Sequence, residues 1–324
     1  MTAGVTPAPP ALATVVIPTY NDAHLLIGAL ERCKQQTWPN VEIVIADDGS
    51  DEPVEPKVRT WPGYDERVTV VRRAKNGGVP AALQTGLEHA RGEFVHLSST
   101  NDLAEPDFLQ TSIAALERHP GAGLCFSDAG IIMDPGNELE PFPLDLAPRE
   151  TWFAPDDFAA RLRRRPFHIS SNAVVFRTSA IRATGGCRPE LELYGDWFAC
   201  MVTALRDGAV YVPRVMAYSR VHAGAYSARP RERDTRIKLA GAAIRAIAVE
   251  APDVLPRLRR SAALSDLGLP VLLGLLRDPR ARAIVSADTL WVALLRTGWR
   301  GILPRSGRRL LRRLTMRPEA ARAA

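Results

Sequence analysis

Cysteine is scarce in this sequence: four residues, Cys33, Cys125, Cys187 and Cys200, in a chain of 324, with no two in a Cys-x-x-Cys pair. That excludes a zinc knuckle and a dense disulfide framework, and makes a reducing cytosol the expected compartment. Long apolar runs are missing too. The nearest, Ala262 to Leu276, is broken by Asp266 and Pro270, short of the roughly 18 uninterrupted residues of a membrane span. A spanning helix is not expected, although attachment to a membrane surface stays open. Residues 1–12 carry no positive charge and no apolar stretch suited to a signal peptide, and read as a disordered lead-in. With 46% hydrophobic and 24% charged residues, the composition excludes disordered, collagen-like and coiled-coil classes. The length allows one large or two modest cores.

The formal net charge of +6 hides a division. Residues 1–228 hold 21 basic and 28 acidic side chains, whereas residues 229–324 hold 21 basic and 8 acidic. An acidic body argues against a general nucleic-acid binder, and a basic tail needs a partner of its own.

Periodicity gives the architecture. Ala13 to Pro18 is a β-branched apolar run, and Asp22 to Gln36 then places Leu25, Leu26, Ala29, Leu30 and Cys33 at helical spacing. Strands are expected at Val41–Ala46, Val68–Val71 and Glu93–Leu97, with a helix over Pro80–Ala90. Alternating strands and helices imply an α/β fold with a mostly parallel sheet and crossovers. Ligands in such sheets bind beyond the carboxyl ends of the strands, where Thr19-Tyr20-Asn21, Asp47-Asp48 and Ser99-Thr100-Asn101-Asp102 all fall. From Pro106 the alternation loosens: a helix over Asp107–Arg118, a strand at Gly123–Ser127, a loop-rich stretch to Phe158, a strand at Ala173–Phe176 and a helix over Trp197–Arg206. Residues 235–324 read as helical throughout.

Four segments then stand in order: Val16-Ile-Pro-Thr-Tyr-Asn21, Val44-Ile-Ala-Asp-Asp-Gly-Ser50, Asn76-Gly-Gly78 and Gly92-Glu-Phe94. Their order and spacing resemble the nucleotide-binding half of family-2 glycosyltransferases with the GT-A fold. With a later motif the resemblance covers roughly residues 13–228. It implies a Rossmann-like sheet flanked by helices, divided into a nucleotide-sugar-binding half (13–105) and an acceptor-binding and catalytic half (106–228), followed by a basic helical extension (229–324). The implied reaction moves a sugar from a nucleotide-diphosphate donor, UDP- or dTDP-linked, to an acceptor hydroxyl with inversion.

The residue chemistry suits that reading. A sugar nucleotide needs a flat wall and a hydrogen-bonding group for its base and oxygens for ribose and metal. Tyr20 offers an aromatic wall and Asp48 an acceptor for a ring N–H, with Asp47 beside it; Pro18, Thr19, Asn76 and Gly78 complete the expected nucleotide site. Read alone, Asp47-Asp48-Gly49-Ser50 is also an ordinary turn. In the family the fourth strand ends in an Asp-x-Asp or Asp-Asp pair that binds a divalent cation. Here Ser99 and Asn101 stand at the two Asp positions and Asp102 is the only acid. Mg²⁺ or Mn²⁺ held by Asn101, Asp102 and the donor phosphates is therefore expected to bind weakly, with Arg72, Arg73 and Lys75 as basic substitutes unless they are simply solvated. Gln84 is a second departure, at a position where the family usually has Asn.

Inversion needs a base that takes the acceptor proton. The family places it in an acidic motif opening a helix, often Glu-Asp. The matching segment, Leu193-Tyr-Gly-Asp-Trp-Phe198, makes Asp196 the candidate base, with Gly195 replacing the first acid, as in spore-coat-type transferases; the competing reading of Asp196 is a helix N-cap. Tyr218-Ser-Arg-Val-His222 resembles a family segment in which a His approaches the diphosphate or metal, so His222 joins the site, with Arg220 a weaker candidate. Ser170-Ser171-Asn172 is a candidate wall of the acceptor pocket. The acceptor itself is a saccharide, a lipid-linked carrier or a small molecule, and richness in Arg, Ala and Pro suits a bacterial gene serving cell-envelope or secondary-metabolite glycosylation.

Trp291, Leu295, Trp299 and Ile302 fall on one helical face with Arg296 and Arg300 opposite, and nine arginines against the single Glu319 lie between Arg296 and Ala324. Such a helix suits peripheral contact with the inner face of the membrane, or packs its aromatics on the catalytic body or a second subunit. Nucleic acid is not expected as a partner, since no recognition motif accompanies the charge. A nicotinamide oxidoreductase would need G-x-G-x-x-G where Pro18-Thr-Tyr-Asn21 stands, and a nucleotidylyltransferase would want a Gly-rich basic loop there. A catalytically weak sugar-nucleotide-binding protein is the remaining alternative, motivated by Ser99 and Gly195.

Overall fold

The computed structural model describes residues 9–133, 137–221 and 232–302. Its centre is a ten-stranded sheet. In chain order the first half runs β1 (Ala13–Thr19), α1 (Ala23–Lys34), β2 (Val41–Asp47), α2 (Glu55–Arg59), β3 (Val68–Arg72), α3 (Val79–His89), β4 (Phe94–Leu97) and β5 (Leu103–Ala104). The second half runs α4 (Phe108–Arg118), β6 (Leu124–Met133), β7 (Glu138–Phe142), β8 (Thr151–Phe153), α5 (Pro155–Arg164), β9 (Val174–Arg177), α6 (Thr178–Ala183), α7 (Gly195–Asp207) and β10 (Ala209–Val221). The helices α8 (Arg233–Glu250), α9 (Leu255–Ser261), α10 (Leu269–Leu275), α11 (Pro279–Arg282) and α12 (Ala287–Ile302) follow.

The strand order is β3-β2-β1-β4-β9-β6-β10-β5, with β7 on β6 and β8 on β10. The pairs β1/β2, β2/β3, β1/β4 and β6/β10 are parallel, and β9 runs antiparallel between β4 and β6. Every residue of β1, β2 and β4 is buried, as expected for parallel strands covered on both faces. Alternation divides their side chains between two cores. Val15, Ile17, Ile43, Ile45 and Phe94 point to the α1/α4 side, while Val16, Val95, Leu124 and Phe126 point to the other. The chain leaves β1 in one direction to β2 and β3, then returns on its other side as β4, so the gap between the carboxyl ends of β1 and β4 is the switch point at which such sheets bind ligands.

The second core extends well beyond residue 228. Trp197, Phe198 and Met201 of α7 and Phe158 and Leu162 of α5 share it with Leu239, Ile244 and Ile247 of α8, Leu258 of α9, and Leu272 and Leu275 of α10. The helical extension, whose charge reads as needing a partner of its own, is joined to the body by shared apolar packing. Trp291 and Leu295 of α12 are 61% and 42% exposed, and the side chains of Trp299 and Ile302 lie outside the described residues.

Candidate active site

The tips of β1 and β2 are tied before any ligand is considered. Thr19 stands opposite Asp47 in the ladder, and its carbonyl accepts the Asp48 N–H at 2.8 Å. Asn21 adopts a left-handed backbone (φ 57°), donates its backbone N–H to Ser50 Oγ at 3.0 Å, and exchanges hydrogen bonds with Asp51 through both side-chain atoms. Pro18 is buried opposite Ala46, and Tyr20 projects from the tip at 40% exposure, free to serve as a wall. The buried Thr19 Oγ1 meets no partner among the described residues.

The two acids of Asp47-Asp48 do different work. Asp47 closes its own turn: Oδ1 accepts the Ser50 N–H at 2.9 Å, while Oδ2 accepts from Arg72 Nη1 at 2.7 Å and from the Val54 N–H at 3.5 Å. Burial pushes its carboxyl up, but the hydrogen bonds from Ser50 and Arg72 outweigh that and leave it below the ordinary carboxylate value. Asp48 instead reaches the Asn76-Gly77-Gly78 loop, accepting N–H bonds from Gly77 (3.0 and 3.1 Å) and Gly78 (2.7 Å), with Arg73 Nε at 2.7 Å. The approach depends on two glycines. Gly49 has φ +75° and lies so close to Lys75 that a Cβ would sit 3.0 Å from its backbone; Gly78, at φ +85°, starts α3. Asn76 Oδ1 also accepts the Gly78 N–H, at 2.9 Å. Asp47, Asp48, Asn76 and Gly78 are therefore assembled as one unit, cross-braced by arginines.

Arg72 and Arg73, two of the suggested cationic substitutes for a metal, are committed to that unit. Arg73 also donates from Nη1 to the Ala81 carbonyl and Thr85 Oγ1, and Arg72 to the Ser50 carbonyl. The carboxylates of the acidic body are thus partly neutralised from within. Changing Arg73 to Gln should cost about 1–3 kcal/mol, because it strips partners from a buried acceptor. Urea denaturation reads this directly, and an unchanged midpoint would show that the pair carries no structural weight. Gln84 is likewise structural: its Oε1 accepts the Cys187 N–H at 2.9 Å and its Nε2 donates to Glu88.

Beyond β4 the chain leaves the sheet at Ser98, whose N–H bonds the Val16 carbonyl at 2.9 Å. Ser99, standing where the family has an Asp, spends its hydroxyl on the turn: it donates to Asn101 Oδ1 at 2.8 Å and accepts the Asp102 N–H at 3.1 Å. Asp102 Oδ1 accepts the Arg220 N–H from β10 at 3.2 Å. Burial raises the Asp102 carboxyl above its ordinary value despite the Arg220 N–H, Ser99, Arg32 and the Arg220 charge. Arg32 of α1 was not foreseen as part of this region. It donates to the Thr100 carbonyl at 2.9 Å and, with His96, Ser98, Ser99 and Asp102, lines a cavity of about 30 Å³ beneath the loop. That volume suits water rather than a nucleotide. His96 is buried, donates from Nδ1 to the Val174 carbonyl at 2.9 Å, and is pushed down to about 4 by desolvation; it is a neutral core residue.

Because β9 runs antiparallel to β4, its start lies at the same sheet edge as the β4 tip. The 3₁₀ turn Ser171–Ala173 precedes it. Ser171 Oγ donates to Asp196 Oδ2 at 2.9 Å, and the Trp197 N–H donates to Asp196 Oδ1 at 2.8 Å. Asp196 lies inside the first turn of α7, whose N-cap position is Tyr194; it satisfies a first-turn N–H from within the helix and is exposed. Ser170 Oγ donates to Asn172 Oδ1 at 2.6 Å, and the buried Asn172 Nδ2 has no partner among the described residues. The suggested acceptor wall and the suggested base are therefore in contact. His222 lies outside the described residues, and Arg220 Nη1 donates to Asn137 Oδ1 at 2.6 Å. Among the described residues no three His, Cys, Asp or Glu side chains converge as a metal cage.

The sequence profile of Glycosyl transferase family 2 matches residues 14–181, just over half of the chain. The chain belongs to glycosyl transferase family 2. This family-2 chain is 30% identical over 100 residues to the glycosyltransferase GlyG of Streptococcus pneumoniae, across 31% of this chain and 33% of the relative. It is 27% identical over 231 residues to an uncharacterized protein of Mycobacterium tuberculosis, across 69% and 64%. Several curated relatives are matched over only 14% to 36% of their length. Among solved structures, S. aureus TarS 1-349 in complex with UDP superposes with a TM-score of 0.59 at 16% identity, covering 89% of this chain and 92% of that one. The mannosyltransferase PcManGT from Pyrobaculum calidifontis, in complex with GDP-Man and Mn²⁺, gives 0.56 at 22%, covering 93% and 83%. The family-2 chain has the GT-A fold.

Proposed function

We propose that the chain is an inverting glycosyltransferase that moves a sugar from a nucleotide-diphosphate donor, UDP- or dTDP-linked, to an acceptor hydroxyl. The observation that supports this best is the meeting of Ser171 and Asp196 at the sheet edge where the β1, β2 and β4 tips end. The donor lies across these open tips, its base against Tyr20 and beside the unit formed by Asp48 and the Asn76–Gly78 loop. The acceptor oxygen attacks the anomeric carbon, the bond from that carbon to the diphosphate oxygen breaks, and the nucleoside diphosphate leaves. Asp196 takes the acceptor proton. Ser171 and the Trp197 N–H hold its carboxylate at the first turn of α7.

The donor set near Asp102 fits a hard cation that keeps its waters and phosphates, and does not fit a cage built by protein alone. Asn101 and Asp102, with His222 nearby in sequence to β10, are the residues proposed to face the diphosphate and its Mg²⁺ or Mn²⁺. Such a cation would neutralise charge on the leaving group. The described residues include no helix long and apolar enough to cross a membrane, and we place the reaction on the cytoplasmic side, with a saccharide, lipid-linked or small-molecule acceptor.

Ser171→Ala should lower kcat roughly tenfold with little change in donor KM, because one net hydrogen bond to a charged group is worth about 1.5–3 kcal/mol; Ser171→Thr should restore most of the rate. Steady-state kinetics of the two variants check this, and equal rates for Ala and wild type would remove Ser171 from the mechanism. The anomeric configuration of the product, read by NMR, tests inversion.

A further inference from the structure

The acceptor half carries a buried carboxylate that the proposed transfer leaves unused. Asp128 of β6 is 4% exposed, and its Oδ1 accepts the Leu144 N–H at 2.7 Å and the Tyr211 hydroxyl at 2.8 Å. Its Oδ2 has no partner among the described residues and is not sealed in the interior. Tyr211 belongs to the core shared with Trp197 and Phe198 of α7, so Asp128 lies on the face of the sheet that carries Asp196. Antiparallel pairing of Phe126 with Val174 brings the turn before β9 level with Asp128. There Asn172, only 7% exposed, holds its unpartnered Nδ2; a buried donor left without an acceptor is costly. Two residues beyond Asp128, on the same face, is Gly130, where a Cβ would sit 2.5 Å from a ring carbon of Tyr218. The missing side chain lets the half-buried Tyr218 ring lie across β6 from its paired position on β10.

We propose that Asp128, Asn172 and Tyr218 form an acceptor subsite and that the acceptor presents a neutral sugar ring to it, with hydroxyls on Asp128 Oδ2 and Asn172 Nδ2 and a C–H face on the Tyr218 ring. This deepens the sugar-transfer reading and rests on it. Strand order puts the subsite on the acceptor's side. β9, β6 and β10 follow β4 across the sheet, so the Ser171–Asp196 contact at the start of β9 stands between the nucleotide tips and Asp128. Inversion brings the attacking oxygen in opposite the leaving diphosphate, from that far side. Chemistry names the class. A sugar hydroxyl both donates and accepts, so one ring answers an open carboxylate oxygen and an open amide N–H together. The electron-rich face of Tyr218 suits the C–H face of a sugar, and a phosphate or carboxylate here would meet Asp128 and Asp196 as like charges.

The test is binding of neutral methyl glycosides of glucose, galactose, mannose, N-acetylglucosamine and rhamnose to the full chain in the presence of UDP, read by saturation-transfer NMR. Wild type should bind at least one of them. Tyr218→Ala should weaken that glycoside about fivefold, Tyr218→Phe should keep it, and both should bind UDP as wild type does. Asp128→Asn keeps an oxygen for Tyr211 and Leu144 and should weaken the glycoside about tenfold. Wild type that binds no glycoside, or Tyr218→Ala that binds it equally, would overturn the subsite, as would UDP binding that falls in parallel. Release of nucleoside diphosphate by wild type from UDP- and dTDP-sugars is measured alongside: release without glycoside binding overturns the subsite alone, whereas no binding and no release of any such donor removes the sugar-transfer reading and the subsite with it.

Discussion

Asp196→Asn should lower kcat by roughly 10²- to 10⁴-fold, the range expected when a positioned general base is removed, while donor affinity stays within about twofold. The amide keeps an oxygen for Ser171 or the Trp197 N–H, so the side chain retains its place in the first turn of α7. What it loses is the capacity to take a proton. The charge lost at a helix N-terminus is worth about 0.3–1 kcal/mol at an exposed site, too little to unfold the chain. Among the described residues no hydrogen bond joins Asp196 to Asp48 or to the Asn76–Gly78 loop, so a nucleotide resting on that unit should not feel the change. Turnover under saturating donor, together with a donor titration, separates the two quantities; donor affinity falling in parallel with kcat would contradict the base assignment.

Ending the chain at residue 231 should abolish soluble expression, whereas ending it at residue 302 should leave a protein that melts within a few degrees of wild type. The first cut strips Leu239, Ile244, Ile247, Leu258, Leu272 and Leu275 from the core they share with Phe158, Leu162, Trp197 and Phe198. Truncating a single buried Leu or Ile to Ala costs about 2–5 kcal/mol, and whole domains are stable by only about 5–15 kcal/mol. Surface ion pairs of the same interface, Arg206 with Asp253 and Arg257 with Asp156, would go too, although each contributes little. Soluble yield and thermal melting of the two truncations check the prediction. A monomeric, cooperatively melting chain ending at 231 would show that the extension is separable after all.

The parallel half of the sheet was readable in advance because its strands are buried on both faces: Ala13–Thr19 and Val41–Asp47 are nearly continuous apolar runs, and each is followed by polar turn residues. Reading became harder where burial is one-sided. β7 consists of Glu138–Phe142, mostly exposed, so no apolar pattern marks it within the stretch taken as loop. α5 in the same stretch is signalled only by Pro155, two acids in its first turn and the apolar set Phe158, Ala159 and Leu162. β10 is the longest strand described, yet Pro213 interrupts its sequence. The pairing with β6 shifts register between Val212 and Val215, the kind of irregularity that admits a proline inside a sheet.

For the site, composition named the right tips but could not assign labour within them. Adjacent acids such as Asp47 and Asp48 look equivalent in sequence; alternation turns one back into its turn and the other across to Gly77 and Gly78. Arg72 and Arg73 looked like free loop charges until their carboxylate partners were placed. Arg32 reads as an ordinary helix-surface cation, and only the crossing of α1 beneath the β4 tip brings it to Thr100. Ser171 and Asp196 are far apart in sequence, and their contact depends on β9 entering the sheet antiparallel, a topology no local pattern announces.

The most direct test of the account is a screen of UDP-, dTDP- and GDP-linked sugars for both binding and release of nucleoside diphosphate, with and without Mn²⁺. The account predicts that a uridine- or thymidine-linked donor binds and releases its diphosphate in a manner lost with Asp196→Asn. Tight binding of such a donor with no release under any condition would contradict it, and would leave a protein that holds sugar nucleotides without transferring the sugar.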